Sequence, residues 1–253
     1  MRAFVGTGRD YELLWDGYNE AIAREIQEIA EAIPHDDLAI QWDMARETAA
    51  VEGVEFNFPN AELRRVPADG MERYCRALEE LCPAIPEDVW LGLHVCYGSL
   101  QHREGESPDT AHYVPLEGID VSVEMLNRGV RVAGRRVDFV HMPTRFQDGA
   151  RDEFYAPLER LDVGGARVYL GVVDLWDGLS GAVARIQVAR RHLADFGIST
   201  ACGWGRRPLS EKPEALINLL RDIAQATTIT PAFAPSRVRL PVAAPVAEPL
   251  RPA

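Results

Sequence analysis

The strongest constraint on the fold comes from short apolar segments that each stop at a polar residue. The clearest of them, Trp90-Leu-Gly-Leu-His-Val-Cys-Tyr-Gly98, is typical of a buried strand. Side chains at positions i and i+2 lie on the same side of a strand. His94 and Cys96 are therefore expected to project together at the C-terminal end of this strand. An imidazole and a thiol on one rigid element supply half of a zinc site.

Helical and strand-like patterns alternate along the chain. Apolar spacing predicts helices over residues 11–32, 69–81, 179–196 and 212–226. Short apolar segments predict strands over residues 38–43, 91–95, 119–123, 136–141, 168–173 and 197–201. Loops or irregular structure are expected over residues 54–66, 100–112 and 144–153. This alternation indicates βαβ units and a parallel sheet.

Chemically useful residues recur at the ends of the predicted strands. They are Asp43, His94 with Cys96, Glu124, Asp174 and Cys202. A TIM barrel places its active site at the C-terminal ends of successive strands, whereas a doubly wound sheet binds ligands mainly at one switch point. No G-x-G-x-x-G phosphate fingerprint follows a predicted strand. The pattern therefore favours an α/β fold of the TIM (β/α)8 type.

The predicted strands are too few to close a barrel of eight. We therefore expect an incomplete or N-terminally shortened barrel, formed as a single domain by residues 1–228. Its sheet edge would be exposed, and pairing in a homo-oligomer is one way to cover it. Residues 229–253 are rich in Pro and Ala without a period, so this tail is expected to be disordered.

Composition excludes several classes of partner. The formal net charge of -12 disfavours binding to a nucleic-acid backbone. No apolar run reaches the length of about 20 residues that spans a bilayer, and no signal peptide is evident. We expect a cytoplasmic protein with neither a membrane nor a nucleic-acid partner. Its four Cys are then expected to be free or metal-bound rather than paired in disulfides.

Two later strand ends offer ligands that complete a zinc site with His94 and Cys96. These are Glu124 and Cys202. A structural interpretation stands beside this one, because buried Cys often behaves as a small hydrophobic residue. In that interpretation Glu124 caps or ion-pairs a following helix, and Asp174 merely ends its strand.

Five motifs in order carry a resemblance to a known family. They are Ile40-Gln-Trp-Asp43, His94-Val-Cys96, Asp120-Val-Ser-Val-Glu124, Gly171-Val-Val-Asp174 and Cys202-Gly-Trp-Gly205. Together, over residues 38–225, they resemble the C-terminal catalytic domain of cobalamin-independent methionine synthase, within the uroporphyrinogen decarboxylase-like barrel superfamily. The resemblance implies zinc ligands at His94, Cys96, Glu124 and Cys202. It also implies that a homocysteine-like thiol is activated as a zinc thiolate and that Asp43 holds its amino group.

The chain also departs from the family pattern. The family has Asp-Glu-Pro after Ile-Gln, whereas this chain has Asp43-Met-Ala, with Glu47 one helical turn further on. Trp176 stands in place of a family His that assists methyl transfer as an acid. We expect Asp43 and Asp174 to act in catalysis, and Asp43, Glu47 and Trp176 to contact the substrate. The roles of His102 and His112, in the loop after Cys96, are open.

Two classes of function follow from these residues. The leading expectation is a zinc-dependent methyl- or alkyltransferase whose partners are a small thiol and a methyl or alkyl donor. The alternative is a degenerate, non-catalytic zinc-binding member of the family, or a related thiol–epoxide transferase or lyase of the alkyl-coenzyme M type.

Overall fold

The structure is a computed structural model of the 253-residue chain. It describes residues 8–57, 62–65, 69–98, 105–112, 116–147, 149–202, 204–207 and 211–227. The predicted tail at residues 229–253 and the side chain of His102 lie outside the described residues.

Helices and strands alternate through most of the described chain. The helices are α1 (Gly8–Ala32), α2 (Ala45–Val51), α3 (Gly70–Leu81), α4 (Asp120–Val132), α5 (Asp152–Tyr155), α6 (Gly178–His192) and α7 (Pro213–Ala226). The strands are β1 (Ala39–Met44), β2 (Val54–Asn57), β3 (Glu62–Arg65), β4 (Trp90–Val95), β5 (Phe139–Pro143), β6 (Arg167–Val173) and β7 (Gly197–Thr200). No helix in these ranges is both long enough and apolar enough to cross a bilayer.

Five of the strands form one parallel sheet in the order β1-β4-β5-β6-β7. The predicted α/β class and parallel pairing are thus confirmed. The order follows the chain without a reversal, so this sheet has no switch point of the doubly wound kind. The remaining strands, β2 and β3, pair as an antiparallel hairpin. The hairpin corrects the prediction that residues 54–66 are irregular.

The strand predicted over residues 119–123 is wrong, because this segment begins helix α4. Ile119, Val123 and Leu126 are all buried, and their spacing of four and three residues matches one face of a helix. The alternation that indicated a strand covered only a few residues, which is too short to separate the two periods. On the side of β4 away from β1, the neighbouring strand is instead β5.

Helices cover one face of the sheet, and the candidate functional residues lie on the other. Leu93 is buried against α4, where Gly129 leaves room: a Cβ at Gly129 would lie 3.1 Å from the Leu93 Cδ1 atom. Gly92 points the opposite way, and a Cβ there would collide with the ring of Phe139. Because side chains alternate along a strand, His94 shares the face of Gly92. The register therefore aligns Asp43, His94 and His141 across the face opposite the helices.

Candidate metal site

Two strand ends bring a histidine and two cysteines together. His94 lies near the end of β4, and Cys96 follows that strand directly. Cys202 comes two residues after the end of β7. Carboxyl ends of parallel strands meet at one edge of a sheet, and here the two sulfur atoms are 2.8 Å apart. One nitrogen of His94 and the two sulfurs all lie within 4.8 Å of one another, so this group could hold a metal ion.

His94 presents a buried nitrogen to this group. Its side chain is 1% exposed, and Nε2 has no hydrogen-bond partner among the described residues. The other ring nitrogen, Nδ1, lies 2.7 Å from Nδ1 of His141 and 3.3 Å from the His141 carbonyl oxygen. A buried polar atom without a partner is costly. A cation bound at Nε2 would remove that cost, so the residues present fit a metal ion.

The two cysteines share a proton. The Cys96 thiol stabilises a thiolate on Cys202 through the sulfur–sulfur hydrogen bond, and the pKa of Cys202 is lowered to about 5. Burial of Cys202 opposes this lowering. The same hydrogen bond and burial raise the pKa of Cys96. The pair therefore carries one negative charge at neutral pH, which is the form that binds a divalent cation.

Glu124, predicted as the fourth ligand, lies outside this group. It sits on α4 rather than at a strand end, is about half exposed, and accepts a hydrogen bond from Arg128 Nε at 2.5 Å. The neighbouring strand end belongs instead to β5, which closes with Pro143 and offers no carboxylate. The described ligand set is therefore one nitrogen and two sulfurs.

Two predicted carboxylates lie at the end of β1 and on the helix that follows it. Asp43 aligns with His94 in the sheet register, and one of its oxygens is 3.9 Å from His94 Nε2. Its side chain is 59% exposed, so it is accessible to a ligand. Glu47 lies on α2 and is partly buried, and this burial raises its pKa, with a smaller contribution from the Asp43 charge. Of the two carboxylates predicted to bind substrate, Asp43 thus lies within the last two residues of β1, and Glu47 lies on α2.

Asp174 ties the end of β6 to the chain that follows Cys202. It accepts a hydrogen bond from the backbone N–H of Trp176 at 2.8 Å and forms an ion pair with Arg207 at 2.5 Å. Both charged side chains are almost fully buried, and burial raises the pKa of Asp174. Trp176 itself is 40% exposed. The contacts of Asp174 are those of an anchor for the segment that carries Cys202.

Histidine also approaches the site from the loop after β4. Burial lowers the pKa of His112, and the charges of Asp109 and Cys202 partly oppose this lowering. Its Nδ1 atom is buried without a hydrogen-bond partner in the described part of the chain. His141, by contrast, was not among the residues that sequence analysis selected. Strand periodicity over β5, once β5 is paired with β4, would have placed it beside His94.

The two remaining cysteines, Cys75 and Cys82, belong to the helical layer. Cys75 is partly buried on α3, and Cys82 follows that helix. Burial raises the pKa of Cys82 to about 12, so this thiol stays protonated at neutral pH. Both match the structural interpretation of buried cysteine.

No protein-family model matches this chain, and no curated protein matches it. A function for this chain is therefore inferred from the geometry of the site.

Proposed function

We propose that His94, Cys96 and Cys202 bind zinc and that the protein is a transferase acting on a small thiol. The observation that carries the proposal is the buried His94 ring: its Nε2 has no hydrogen-bond partner in the described part of the chain, and one of its nitrogens lies within 4.8 Å of a pair of sulfurs. The shared proton of those sulfurs supplies a thiolate without the metal. These features match a cation site better than a packed core.

The ligand types favour zinc. Thiolate and imidazole are the ligands that zinc prefers, and catalytic zinc sites use three protein ligands with one open position. The described set of one histidine and two cysteines has this composition. When bound, zinc would lower the pKa of a substrate thiol that occupies the open position.

The sheet supports the same proposal through its topology. Five parallel strands in chain order, with helices between them, are the arrangement of a segment of a (β/α)8 barrel. We extend the proposal to a barrel-type fold in which the metal site lies at the C-terminal ends of the strands. The motif resemblance to the methionine synthase catalytic domain is consistent with this placement.

Asp43 is the residue best placed to select the substrate. Its exposed carboxylate lies beside His94 on the open face of the sheet, so it would attract the cationic amino group of a homocysteine-like thiol. Asp174 would act indirectly: with Arg207 it holds the segment behind Cys202. Glu47 and Trp176 flank these two carboxylates in sequence and would line the substrate side.

Zinc titration and a turnover assay test this function. We expect one zinc per chain, removed by Cys202→Ser and retained by Cys75→Ser, a matched change of a cysteine outside the site. With zinc bound, homocysteine plus a methylated folate should give methionine, and Asp43→Asn should raise KM for the thiol. Absence of zinc binding, or equal binding in both cysteine variants, would refute the proposal.

A second candidate is a metal-binding protein without turnover, or an enzyme that uses an epoxide as the alkyl donor. The observation in its favour is Trp176, which stands where the resembled family has an acid histidine. The same zinc-loaded protein separates these outcomes. Thioether formation from an epoxide would select the lyase or transferase alternative, and no product with either donor would select the non-catalytic one.

A further inference from the structure

His141 connects the two halves of the metal site. It lies on β5 in register with His94 on β4, and the two ring centroids are 4.5 Å apart with an angle of 22° between the ring planes. Its Nδ1 atom is 2.7 Å from Nδ1 of His94. Its Nε2 atom is 3.1 Å from the carbonyl oxygen of Thr200, two residues before Cys202. One partly buried imidazole thus contacts both His94 on β4 and the end of β7, two residues before Cys202.

A glycine on β6 allows the close approach of the strands on either side of it, which carry His141 and Thr200. Gly171 on β6 lies between the strands that carry His141 and Thr200, and a Cβ at this position would be 3.0 Å from the Thr200 oxygen and 3.2 Å from Pro143 Cα. A side chain at residue 171 would therefore crowd β5 and β7, and its neighbours would have to move by a few tenths of an ångström. The pairing of β6 with β7 also shifts register between Leu170 and Val173, next to this glycine.

The proton positions follow from the hydrogen-bond partners. A backbone carbonyl only accepts, so the proton of the His141 ring lies on Nε2 and is donated to Thr200. In the neutral ring Nδ1 of His141 is then an acceptor. His94 Nδ1 faces this acceptor and the His141 carbonyl oxygen, so it carries the proton of its own ring. The Nε2 atom of His94, which has no hydrogen-bond partner among the described residues, is then left without a proton, and one nitrogen of this ring lies within 4.8 Å of the two sulfurs.

We propose that His141 is the positioning residue of the metal site: by accepting the Nδ1 proton of His94, it fixes the tautomer in which Nε2 of His94 binds a cation. The inference rests on the proposed metal site but does not depend on the identity of the substrate. Partners of this kind that orient a ligand typically change metal affinity by about 10–100-fold when they are removed.

Two isosteric variants separate the two contacts of His141. In His141→Asn the amide oxygen takes the place of Nδ1, so the acceptor for His94 is kept and the donor to Thr200 is lost. In His141→Gln the amide nitrogen takes the place of Nε2, so the donor is kept and the acceptor is lost. We expect zinc affinity, measured by competition with a chromophoric chelator, to fall about 10–100-fold in the Gln variant and much less in the Asn variant.

If His141 acted only by holding β7 through its hydrogen bond to Thr200, the order would be reversed. The Gln variant would then bind zinc more tightly than the Asn variant. That order, or wild-type affinity in both variants, would overturn the proposal. Thermal unfolding of each metal-free variant checks that the fold is retained. Visible spectra of the cobalt-loaded variants add a readout of ligand geometry that a change in stability alone would not move.

The tautomer is measured directly on the metal-free wild-type protein. Two-bond 1H–15N correlations report which ring nitrogen carries the proton, and the His94→Asn spectrum identifies the His94 signals. We expect the proton on Nδ1, and a proton on Nε2 would overturn the proposal. Because this measurement needs no metal, it separates the two hypotheses: wild-type protein that binds no zinc would refute the proposed function without deciding the tautomer.

Discussion

Replacing Cys96 should change the acidity of its neighbour Cys202 in the metal-free protein. The largest cause of the low Cys202 pKa is the hydrogen bond from the Cys96 thiol, across a sulfur–sulfur distance of 2.8 Å. Cys96→Ala removes this donor and leaves burial, which favours the protonated thiol. We therefore expect the Cys202 pKa to rise from about 5 toward or beyond its ordinary value of 9.0.

The size of the change decides which assay to use. A shift of this size would reduce the thiolate fraction of Cys202 at pH 7 from about 99% to about 1%. A thiolate of higher pKa is also the stronger nucleophile, however, so the alkylation rate at a single pH would change much less. The informative quantity is the midpoint of the pH–rate profile. Iodoacetamide labelling of Cys202, resolved by peptide mass spectrometry, measures it.

The control is Cys96→Ser, which keeps a hydrogen-bond donor at the same position. We expect its midpoint to lie between those of the wild type and Cys96→Ala. The peptide that carries Cys75 provides an internal reference in every sample. An unchanged midpoint for Cys202 in Cys96→Ala would show that the thiolate is not stabilised by its neighbour, and the shared-proton account would fail.

Three further predictions concern the fold and the redox state of the site. Asp177→Ala should lower the free energy of unfolding by about 3–5 kcal/mol, because it leaves the buried charge of Arg185 without its ion-pair partner. Adding Arg185→Met to this variant should recover most of the loss, as measured by urea denaturation. Gly92→Ala should cost about 1–3 kcal/mol, since the added Cβ collides with the ring of Phe139, and Phe139→Leu should partly restore the melting temperature. In the metal-free protein, hydrogen peroxide should oxidise Cys96 or Cys202 to the sulfenic acid, which then condenses with the other thiol to give a disulfide and water. Bound zinc should prevent formation of this disulfide, which is detected by peptide mapping under non-reducing conditions.

Much of the site was predictable from strand geometry. The His94-x-Cys96 spacing places two ligands on one side of a strand, and a later strand ending at Cys202 reaches the same edge of a parallel sheet. These inferences need only the period of a strand and the direction of its neighbours. The structure brings His94, Cys96 and Cys202 together in a group that could hold a metal ion, and β4 is a continuous buried strand.

The error at residues 119–123 has a local cause with a distant effect. Ile119, Val121 and Val123 alternate as in a strand, but Val123 and Leu126 continue the pattern at helical spacing. Because this segment was predicted as the strand after β4, Glu124 was predicted at a strand end beside the other ligands. The same prediction put one strand too many between β4 and β5. His141 was not predicted for the same reason. It belongs to no motif, and its place beside His94 becomes visible only when β5 is paired with β4.

X-ray absorption at the zinc edge tests the central claim most directly. For protein loaded with one equivalent of zinc, we predict two sulfur ligands at about 2.3 Å and one imidazole nitrogen at about 2.0–2.1 Å, with a light atom in the remaining position. Cys202→Ser should lose one sulfur, and His94→Asn should lose the imidazole scattering. A spectrum without sulfur ligands, or one that Cys202→Ser leaves unchanged, would contradict a metal site built from His94, Cys96 and Cys202.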